Sequence, residues 1–337
     1  MTTPSGSSTP SASSSASSSA SSSSSASRSA AAPPWDVARP PRADGRVFLV
    51  TGGNAGIGYF VVEQLAASGA EVVLGSRDPA RLQAAMASVR GRVPGARVRA
   101  VRMDLADPLS LPAAVAELRT ERLDAVVLNA GIALDHPPRR ESADGNELMF
   151  ATNHLGHFAL TAHLMPLLAA APAARVVTMG SIAARSERLD AADPQSAHDY
   201  RPKRAYGRSK LAQMSFALEL DRRLRAAGSP VSSLIAHPGG ALDSLTPSRP
   251  LVHTRSAGAR LLGLPAGAVL QGKDAGAWPA VRAVLDPAAR GGEIWGPRVL
   301  GLRGRPRSEP VWPLLTEHTD AAWLWELSAA LTGVTPV

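Results

Sequence analysis

The chain alternates short apolar runs with longer amphipathic stretches from Arg46 onward. The candidate strands are Arg46–Val50, Glu71–Gly75, Val98–Met103, Asp124–Asn129, Arg175–Met179 and Val231–His237. The candidate helices are Ile57–Ser68, Pro79–Val89, Leu109–Leu118, Asn146–Leu168, Ala205–Ala227 and Lys273–Leu285. Nearly continuous Val, Leu and Ile runs are typical of strands that are covered on both faces.

This alternation predicts an α/β fold: a single Rossmann-type, doubly wound domain with a mostly parallel, seven-stranded sheet flanked by helices. We expect the domain to span residues 44–332, with ligands bound at the carboxyl ends of the strands. After His237 the alternation lapses into a Pro-, Gly- and Arg-rich stretch that continues to about Arg307. We interpret that stretch as surface loop, and a substrate lid is the alternative.

Composition separates a tail, residues 1–40, from this domain. Residues 1–32 are almost entirely Ser, Ala, Thr, Pro and Gly, and Arg28 is their only charge, so they predict disorder. They lack the early positive charge and apolar run of a secretory signal. The best candidate for a membrane span, residues 158–177, is interrupted by proline and charge. We therefore expect a soluble, cytoplasmic protein.

Charge and cysteine content limit the kinds of site and partner that the chain can have. The chain has no cysteine, which excludes disulfides and thiolate sites. Its net charge of +8 comes from scattered residues rather than one basic stripe, so we expect no nucleic-acid partner. Of its 36 basic residues only three are lysine, Lys203, Lys210 and Lys273.

A glycine-rich turn follows the first strand directly and leads into an apolar helix. It reads Thr51-Gly52-Gly53-Asn54-Ala55-Gly56-Ile57-Gly58. Such a turn presents backbone N–H groups and the positive end of a helix to a pyrophosphate. Gly52 permits the tight turn, Gly56 the approach of a phosphate, and Gly58 the packing of the helix. The alternative is an ordinary strand-to-helix loop.

The spacing Thr-Gly-x-x-x-Gly-Ile-Gly resembles the signature of the short-chain dehydrogenase/reductase family. Asp104-Leu105, after the third strand, is similar to the family's adenine-contacting pair, and Asn129-Ala130-Gly131 is similar to its Asn-Ala-Gly element. The resemblance covers roughly residues 44–332. It implies a nicotinamide cofactor held by Gly52, Asn54, Gly56, Ile57, Gly58, Asp104, Leu105, Asn129, Ala130 and Gly131.

The tip of the second strand bears on which nicotinamide cofactor binds. An acid there accepts from a free ribose hydroxyl, whereas an arginine accommodates a 2′-phosphate. Arg77 favours NADP over NAD. Asp78 either begins the next helix as its N-cap, before Pro79, or reaches the ribose itself, and we prefer the cap.

The segment Ala205-Tyr206-Gly207-Arg208-Ser209-Lys210 carries the predicted chemistry. Positions i and i+4 share a helix face, and an ammonium near a phenol favours the phenolate. We therefore predict that Tyr206 is a catalytic acid or base, that Lys210 lowers its pKa, and that both residues also contact the cofactor. The alternative is an incidental surface pair, but Tyr and Lys are rare here. Tyr200 is the decoy, and Tyr59 is expected to pack.

The resemblance adds further residues. It implies that Ser181 holds the substrate oxygen, that Asn153 anchors a water in the proton relay, and that Pro238 and Gly239 border the nicotinamide. Where the family has threonine after that turn, this chain has Asp243 and Ser244, so the carboxamide contact is left open. His154 and His157 suggest zinc, but no carboxylate has a matching helical spacing, and we expect no metal.

The long segment between Ser181 and Tyr206 is similar to that of the retinol-dehydrogenase branch of the family. This resemblance implies an oxidoreductase for carbonyl or alcohol substrates, including lipophilic ones, and a possible homo-oligomer. Two alternatives stay open: a regulator that binds NADP without catalysis, and a nucleotide-sugar epimerase or dehydratase.

Overall fold

The structure, a computed structural model, describes residues 1, 35–134, 136–254, 258, 261 and 263–337. Residues 2–34, most of the predicted tail, lie outside the described residues. The end of that predicted tail makes contacts: Trp35 packs against the core, and the Arg282 guanidinium lies over its ring at 5.5 Å.

The strands follow the predicted alternation. They are β1 Val47–Thr51, β2 Glu71–Ser76, β3 Arg97–Arg102, β4 Ala125–Leu128, β5 Arg175–Met179, β6 Ser232–Ala236, β7 Ala241–Leu242, β8 Gln271–Gly272, β9 Ile294–Val299 and β10 Arg303–Glu309. In the described part of the chain, eight of them form one sheet in the order β10-β9-β6-β5-β4-β1-β2-β3. Only the β10–β9 pair of this sheet is antiparallel, while β7 and β8 form a separate parallel pair.

The helices lie on both faces of this sheet. They are α1 Gly56–Ala67, α2 Pro79–Arg92, α3 Leu111–Ala116, α4 Leu148–Phe150, α5 Gly156–Ala169, α6 Pro202–Ala226, α7 Lys273–Gly276, α8 Trp278–Leu285 and α9 His318–Thr332. Residues Ala151–Leu155 form a π-helical turn that joins α4 to α5. One core cluster includes Tyr59, Phe60 and Val281, and the cluster on the other face includes Phe158 and Trp325. The doubly wound architecture is confirmed.

Two details of the prediction are wrong. The sheet has eight strands instead of seven, because β9 and β10 both form within the stretch that was interpreted as loop. The predicted helix over 273–285 is two helices, α7 and α8. Pro279, at the start of α8, has no N–H to continue the preceding helix.

None of the described helices combines the length and apolar character needed to cross a bilayer.

Two histidines are buried in the core behind the sheet. His154, in the π-helical turn, lies 5.1 Å from the Phe150 ring, and its Nε2 is 2.7 Å from Ser328 Oγ on α9. Burial lowers the pKa of His154 to about 3, and it does the same for His157. Both imidazoles are therefore neutral in the folded protein at neutral pH.

We expect this burial to make the fold sensitive to acid. The histidines of the unfolded chain bind protons from about pH 6.5 downward, whereas the buried ones do so only near pH 3, so stability present above pH 6.5 is lost as the pH falls. At pH 5 each of the two buried histidines should lower the free energy of unfolding by about 2 kcal/mol. Denaturant unfolding at pH 5, 6 and 7 measures this loss.

The matched variants are His154→Gln and His136→Gln. The first removes one buried titration, so the pH dependence of the free energy of unfolding should fall by about half. The second removes an exposed imidazole and should leave the dependence unchanged. An unchanged dependence in His154→Gln would contradict the assignment.

Candidate active site

A cleft of about 670 Å³ opens at the carboxyl ends of the central strands, where the order reverses between β1 and β4. Most predicted site residues line it. These are Gly52, Asn54, Gly56, Ile57, Arg77, Asp104, Leu105, Asn129, Ala130, Gly131, Ser181, Tyr206, Lys210 and Pro238. Gly58, Asn153 and Gly239 are not among the lining residues.

The glycine-rich turn is fastened to the end of β4. Thr51 Oγ1 accepts from the backbone N–H groups of Asn129 and Ala130, each at 2.9 Å, and Asn129 Nδ2 donates to Thr51 O at 2.9 Å. Gly52 has a φ of +65°, which favours glycine. Gly58 packs so closely that a Cβ there would collide with Gly52 O and Asn129 Nδ2.

Helix α1 begins at Gly56 with its amides toward the cleft. Its N-cap residue is Ala55, which has no polar side chain to occupy the N–H groups of the first turn. Those donors and the positive end of the helix are the features that bind a phosphate. The turn therefore fits the pyrophosphate of a dinucleotide.

The far end of the cleft is basic. Arg77 is exposed there, and Arg81 joins it one turn into α2. The Asp78 carboxylate accepts from Arg81 N at 3.1 Å as the N-cap of α2, which confirms the preferred interpretation of Asp78. Asp104 Oδ1 accepts from Ala106 N at 3.0 Å.

The opposite end of the cleft holds the predicted chemical groups. Tyr206 lies in the first turns of α6 and lines the cleft together with Ser181, the residue that follows β5 and Gly180. Burial raises the pKa of Tyr206, while the neighbouring Ser181 hydroxyl lowers it by less. The sequence predicted that Lys210 lowers the pKa of Tyr206. In the structure, burial has the largest effect on this pKa and raises it, and the opposing effect comes from Ser181.

Lys210 lies one turn further along α6 and is 4% exposed. Its Nζ donates to Met179 O at 3.1 Å and to Gln213 Oε1 at 2.8 Å. Burial lowers the pKa of Lys210 to about 8. Two of its three N–H bonds are thus committed to the protein.

Asn153 is fully buried in the π-helical turn. Its Oδ1 accepts from Ile132 N at 2.8 Å, and its Nδ2 donates to Ile132 O at 3.0 Å and to Ser209 Oγ at 2.9 Å. The side-chain amide is thus engaged with protein on both sides, and it joins the segment after β4 to α6. The role of Asn153 in anchoring a relay water stays a prediction.

The turn after β6 contributes Pro238 to the cleft, but Gly239 does not line it. With a φ of +64°, Gly239 packs against the Leu302 carbonyl. The Asp243 carboxylate forms an ion pair with Lys273 Nζ at 2.5 Å, and Lys273 itself lines the cleft.

A model of the short chain dehydrogenase family matches residues 46–246. The chain belongs to this family. Over 299 residues it is 36% identical to a mouse polyprenol dehydrogenase, with 87% of this chain and 85% of that protein covered. Over 204 residues it is 36% identical to human retinol dehydrogenase 13, with 60% of each chain covered. These relatives support the retinol-dehydrogenase-like branch.

Other comparisons define the extent of the similarity. The chain spans 56% of the length of a short chain dehydrogenase/reductase from Colletotrichum higginsianum, dpchH, to which it is 38% identical. A solved structure from Mycobacterium paratuberculosis, described only as an uncharacterized protein, superposes with a TM-score of 0.73 at 33% identity. It covers 90% of this chain and 99% of that one.

The remaining tyrosines of this dehydrogenase-family chain are engaged elsewhere. Tyr200 donates to Glu147 Oε1 at 3.3 Å, and burial raises its pKa to about 12. Tyr59 is buried in the core, as predicted, with its hydroxyl 2.9 Å from Ser88 Oγ. Neither lines the cleft.

The histidine pair has other partners. His154 contacts Ser328, and His157 Nε2 is 2.9 Å from Thr51 Oγ1. Among the described residues, no group of three His, Cys, Asp or Glu side chains is arranged to hold a metal.

Sequence reasoning missed Arg81, Lys273 and Gln213. Arg81 had a usable signal, since it is i+4 from Arg77 at the start of a predicted helix. Lys273 had only the rarity of lysine in this chain. Gln213 had none, because a single glutamine on an amphipathic helix carries no specific pattern.

Proposed function

We propose that this chain is an NADP(H)-dependent oxidoreductase that transfers a hydride between the nicotinamide and a carbonyl or alcohol substrate, with Tyr206 as acid or base. One observation carries the proposal: Tyr206, Ser181 and Lys210 line the same cleft as the glycine-rich turn, whose helix has no side-chain cap. A dinucleotide binder without chemistry has no need of this group.

The protein's own groups have distinct tasks in this proposal. The nicotinamide supplies or takes the hydride at the substrate carbon. Ser181 donates a hydrogen bond to the substrate oxygen, and Tyr206 transfers the proton to or from that oxygen. Because burial raises the pKa of Tyr206, the phenol is neutral at physiological pH, which suits proton donation during carbonyl reduction. Lys210 holds its ammonium beside this end of the cleft.

The basic end of the cleft supports NADP over NAD. Arg77 is exposed, and the carboxylate of the neighbouring Asp78 is engaged in capping α2. A guanidinium at that point matches a 2′-phosphate, and its hydrogen bonds to a charged group contribute about 1.5 to 3 kcal/mol. Arg81, which pairs with Asp78 Oδ2 at 3.3 Å, is a second guanidinium at the same rim.

We expect Arg77→Ala to raise the KM for NADPH about 10- to 100-fold and to change the KM for NADH less than twofold. Arg92→Ala is the matched control, since Arg92 is exposed at the other end of α2 and should change neither constant. Steady-state kinetics with both cofactors measures the effect. Equal losses with NADPH and NADH would contradict an Arg77 contact with the 2′-phosphate.

The substrate class is a lipophilic carbonyl or alcohol. Relatives bearing the names retinol and polyprenol dehydrogenase support it. Apolar side chains on the segment after Pro238 agree with it, since Leu251, Leu264 and Val269 are 69%, 61% and 54% exposed. The test monitors NADPH and NADH absorbance against short and long aliphatic aldehydes, ketones and prenyl alcohols. The proposal fails if no member of the panel is turned over by protein that binds NADPH.

A further inference from the structure

Next to Lys210 lies a group of buried polar side chains that the proposed reaction does not use. Its members are Gln213 on α6, His157 on α5 and Thr51 at the end of β1, all at most 1% exposed. Buried polar side chains are costly unless they are hydrogen-bonded. Such a group therefore needs either a structural or a functional explanation.

The contacts connect the lysine to the glycine-rich turn. Gln213 Oε1 accepts from Lys210 Nζ at 2.8 Å, and Gln213 Nε2 lies 3.0 Å from His157 Nδ1. His157 Nε2 lies 2.9 Å from Thr51 Oγ1. His157 Nδ1 also lies 3.0 Å from Asn153 O, so this nitrogen either donates to that carbonyl or accepts from Gln213. A chain of close polar contacts thus joins Lys210 to the residue that opens the dinucleotide turn.

The orientation of the Gln213 amide follows from its two neighbours. A lysine ammonium has three donors and no acceptor, so only the amide oxygen can face Lys210. The amide nitrogen then donates to Leu128 O at 3.2 Å. Rotating the amide by 180° would set donor against donor and acceptor against acceptor. Gln213 is therefore held with its oxygen on the ammonium.

The Gln213 amide oxygen is important because few other groups stabilise the positive charge of Lys210. Its second bond goes to a backbone carbonyl, Met179 O. The titratable groups that face it are Tyr206 on its own helix and His157 on α5, and His157 is neutral. Among the described residues no carboxylate is bonded to the Lys210 ammonium, so the Gln213 dipole is the side-chain contact that stabilises the cation.

We propose that Gln213 is a positioning residue: it keeps Lys210 protonated and directs the third N–H of the ammonium to the cleft. This proposal rests on the proposed function for the role of Lys210 in turnover. The contrasting explanation is that Gln213 only fills and satisfies the core. The two explanations differ in whether Gln213 changes the pKa of Lys210.

The chain offers a readout independent of activity, because it has only three lysines. In protein labelled with ¹³C at lysine Cε, NMR should show three side-chain signals, one for each lysine of the chain. Lys203→Arg and Lys273→Arg each remove one signal, and the remaining one is Lys210. Its pH titration gives the pKa directly, which we expect at about 8.

Two substitutions move that pKa in opposite directions. Gln213→Met keeps the length of the side chain and removes the acceptor, so the pKa of Lys210 should fall by about 1. Gln213→Glu sets a carboxylate beside the ammonium, so the pKa should rise by about 1 to 3. Gln64→Met is the matched control. The Gln64 side chain lies on α1 and donates to Asp274 O on α7.

The outcomes are decisive for the proposal. The Gln213 variants should also move the alkaline limb of kcat/KM in the same directions as the pKa. If both variants fold, by their thermal transitions, and leave the Lys210 titration where it is in wild type, Gln213 has only a structural role. An equal change in Gln64→Met would overturn the proposal as well. An inactive wild-type protein with the expected titrations would defeat the proposed function and leave this inference standing.

Discussion

Replacing Tyr206 by phenylalanine should reduce kcat at least a thousandfold while leaving the Kd for NADPH within about twofold. General acid–base catalysis contributes about 10² to 10⁴ in rate, and the Tyr206 phenol is the group that transfers the proton in the proposed reaction. The ring itself remains, so packing against α6 is preserved. Single-turnover kinetics and a fluorescence titration with NADPH measure the two quantities.

Tyr200→Phe provides the comparison, since it removes the same hydroxyl six residues earlier. That hydroxyl donates to Glu147, away from the cleft, so its loss should leave kcat within about twofold. Full turnover in Tyr206→Phe would eliminate Tyr206 as the acid or base. Equal losses in both variants would indicate a general loss of structure rather than of a catalytic group.

Much of this site could be predicted because it depends on local patterns. The turn Thr51–Gly58 is a strand, a tight turn and a helix start in continuous sequence, and the fold places every such start at the same edge of the sheet. Tyr206 and Lys210 are i and i+4 on one helix, so their common direction needs no tertiary information. The capping role of Asp78 follows from its place before Pro79.

The remainder depends on contacts between distant segments. The side-chain amide of Asn153 is bonded to Ile132 and Ser209, which only the folded chain brings to it. The π-helical turn that buries it has no sequence signature. Strand β10 consists of Arg, Gly, Pro, Ser and Glu residues, and it pairs as an edge strand, where proline is tolerated.

The pKa of Tyr206 illustrates the same limit in energetic terms. Spacing alone indicates that an ammonium is near, which favours the phenolate. It does not give the burial of either group, and burial opposes the charged form of both Tyr206 and Lys210. The sign of the change in a tyrosine pKa is therefore a tertiary property, and it favours the neutral acid at the start of a reduction.

The second large effect concerns the helix that follows the glycine-rich turn. Gly58→Ala should weaken NADPH binding at least tenfold and destabilise the fold by about 1 to 3 kcal/mol, since a Cβ there collides with Gly52 O and Asn129 Nδ2. Both are parts of the cleft, so the helix can relieve the collision only by moving the turn. Denaturant unfolding and NADPH titration measure the two changes.

Gly91→Ala makes the same chemical change in a helix with the opposite expectation. Gly91 lies in α2 with no atom within 4 Å of its missing Cβ. Alanine there should therefore stabilise the protein by about 0.5 to 1 kcal/mol through helix propensity, with NADPH binding unchanged. A Gly58→Ala protein as stable and as tightly bound to NADPH as Gly91→Ala would show that α1 does not press on the turn. The same substitution is thus expected to destabilise the protein at Gly58 and to stabilise it at Gly91. This difference separates the effect of close packing at Gly58 from the general preference of helices for alanine.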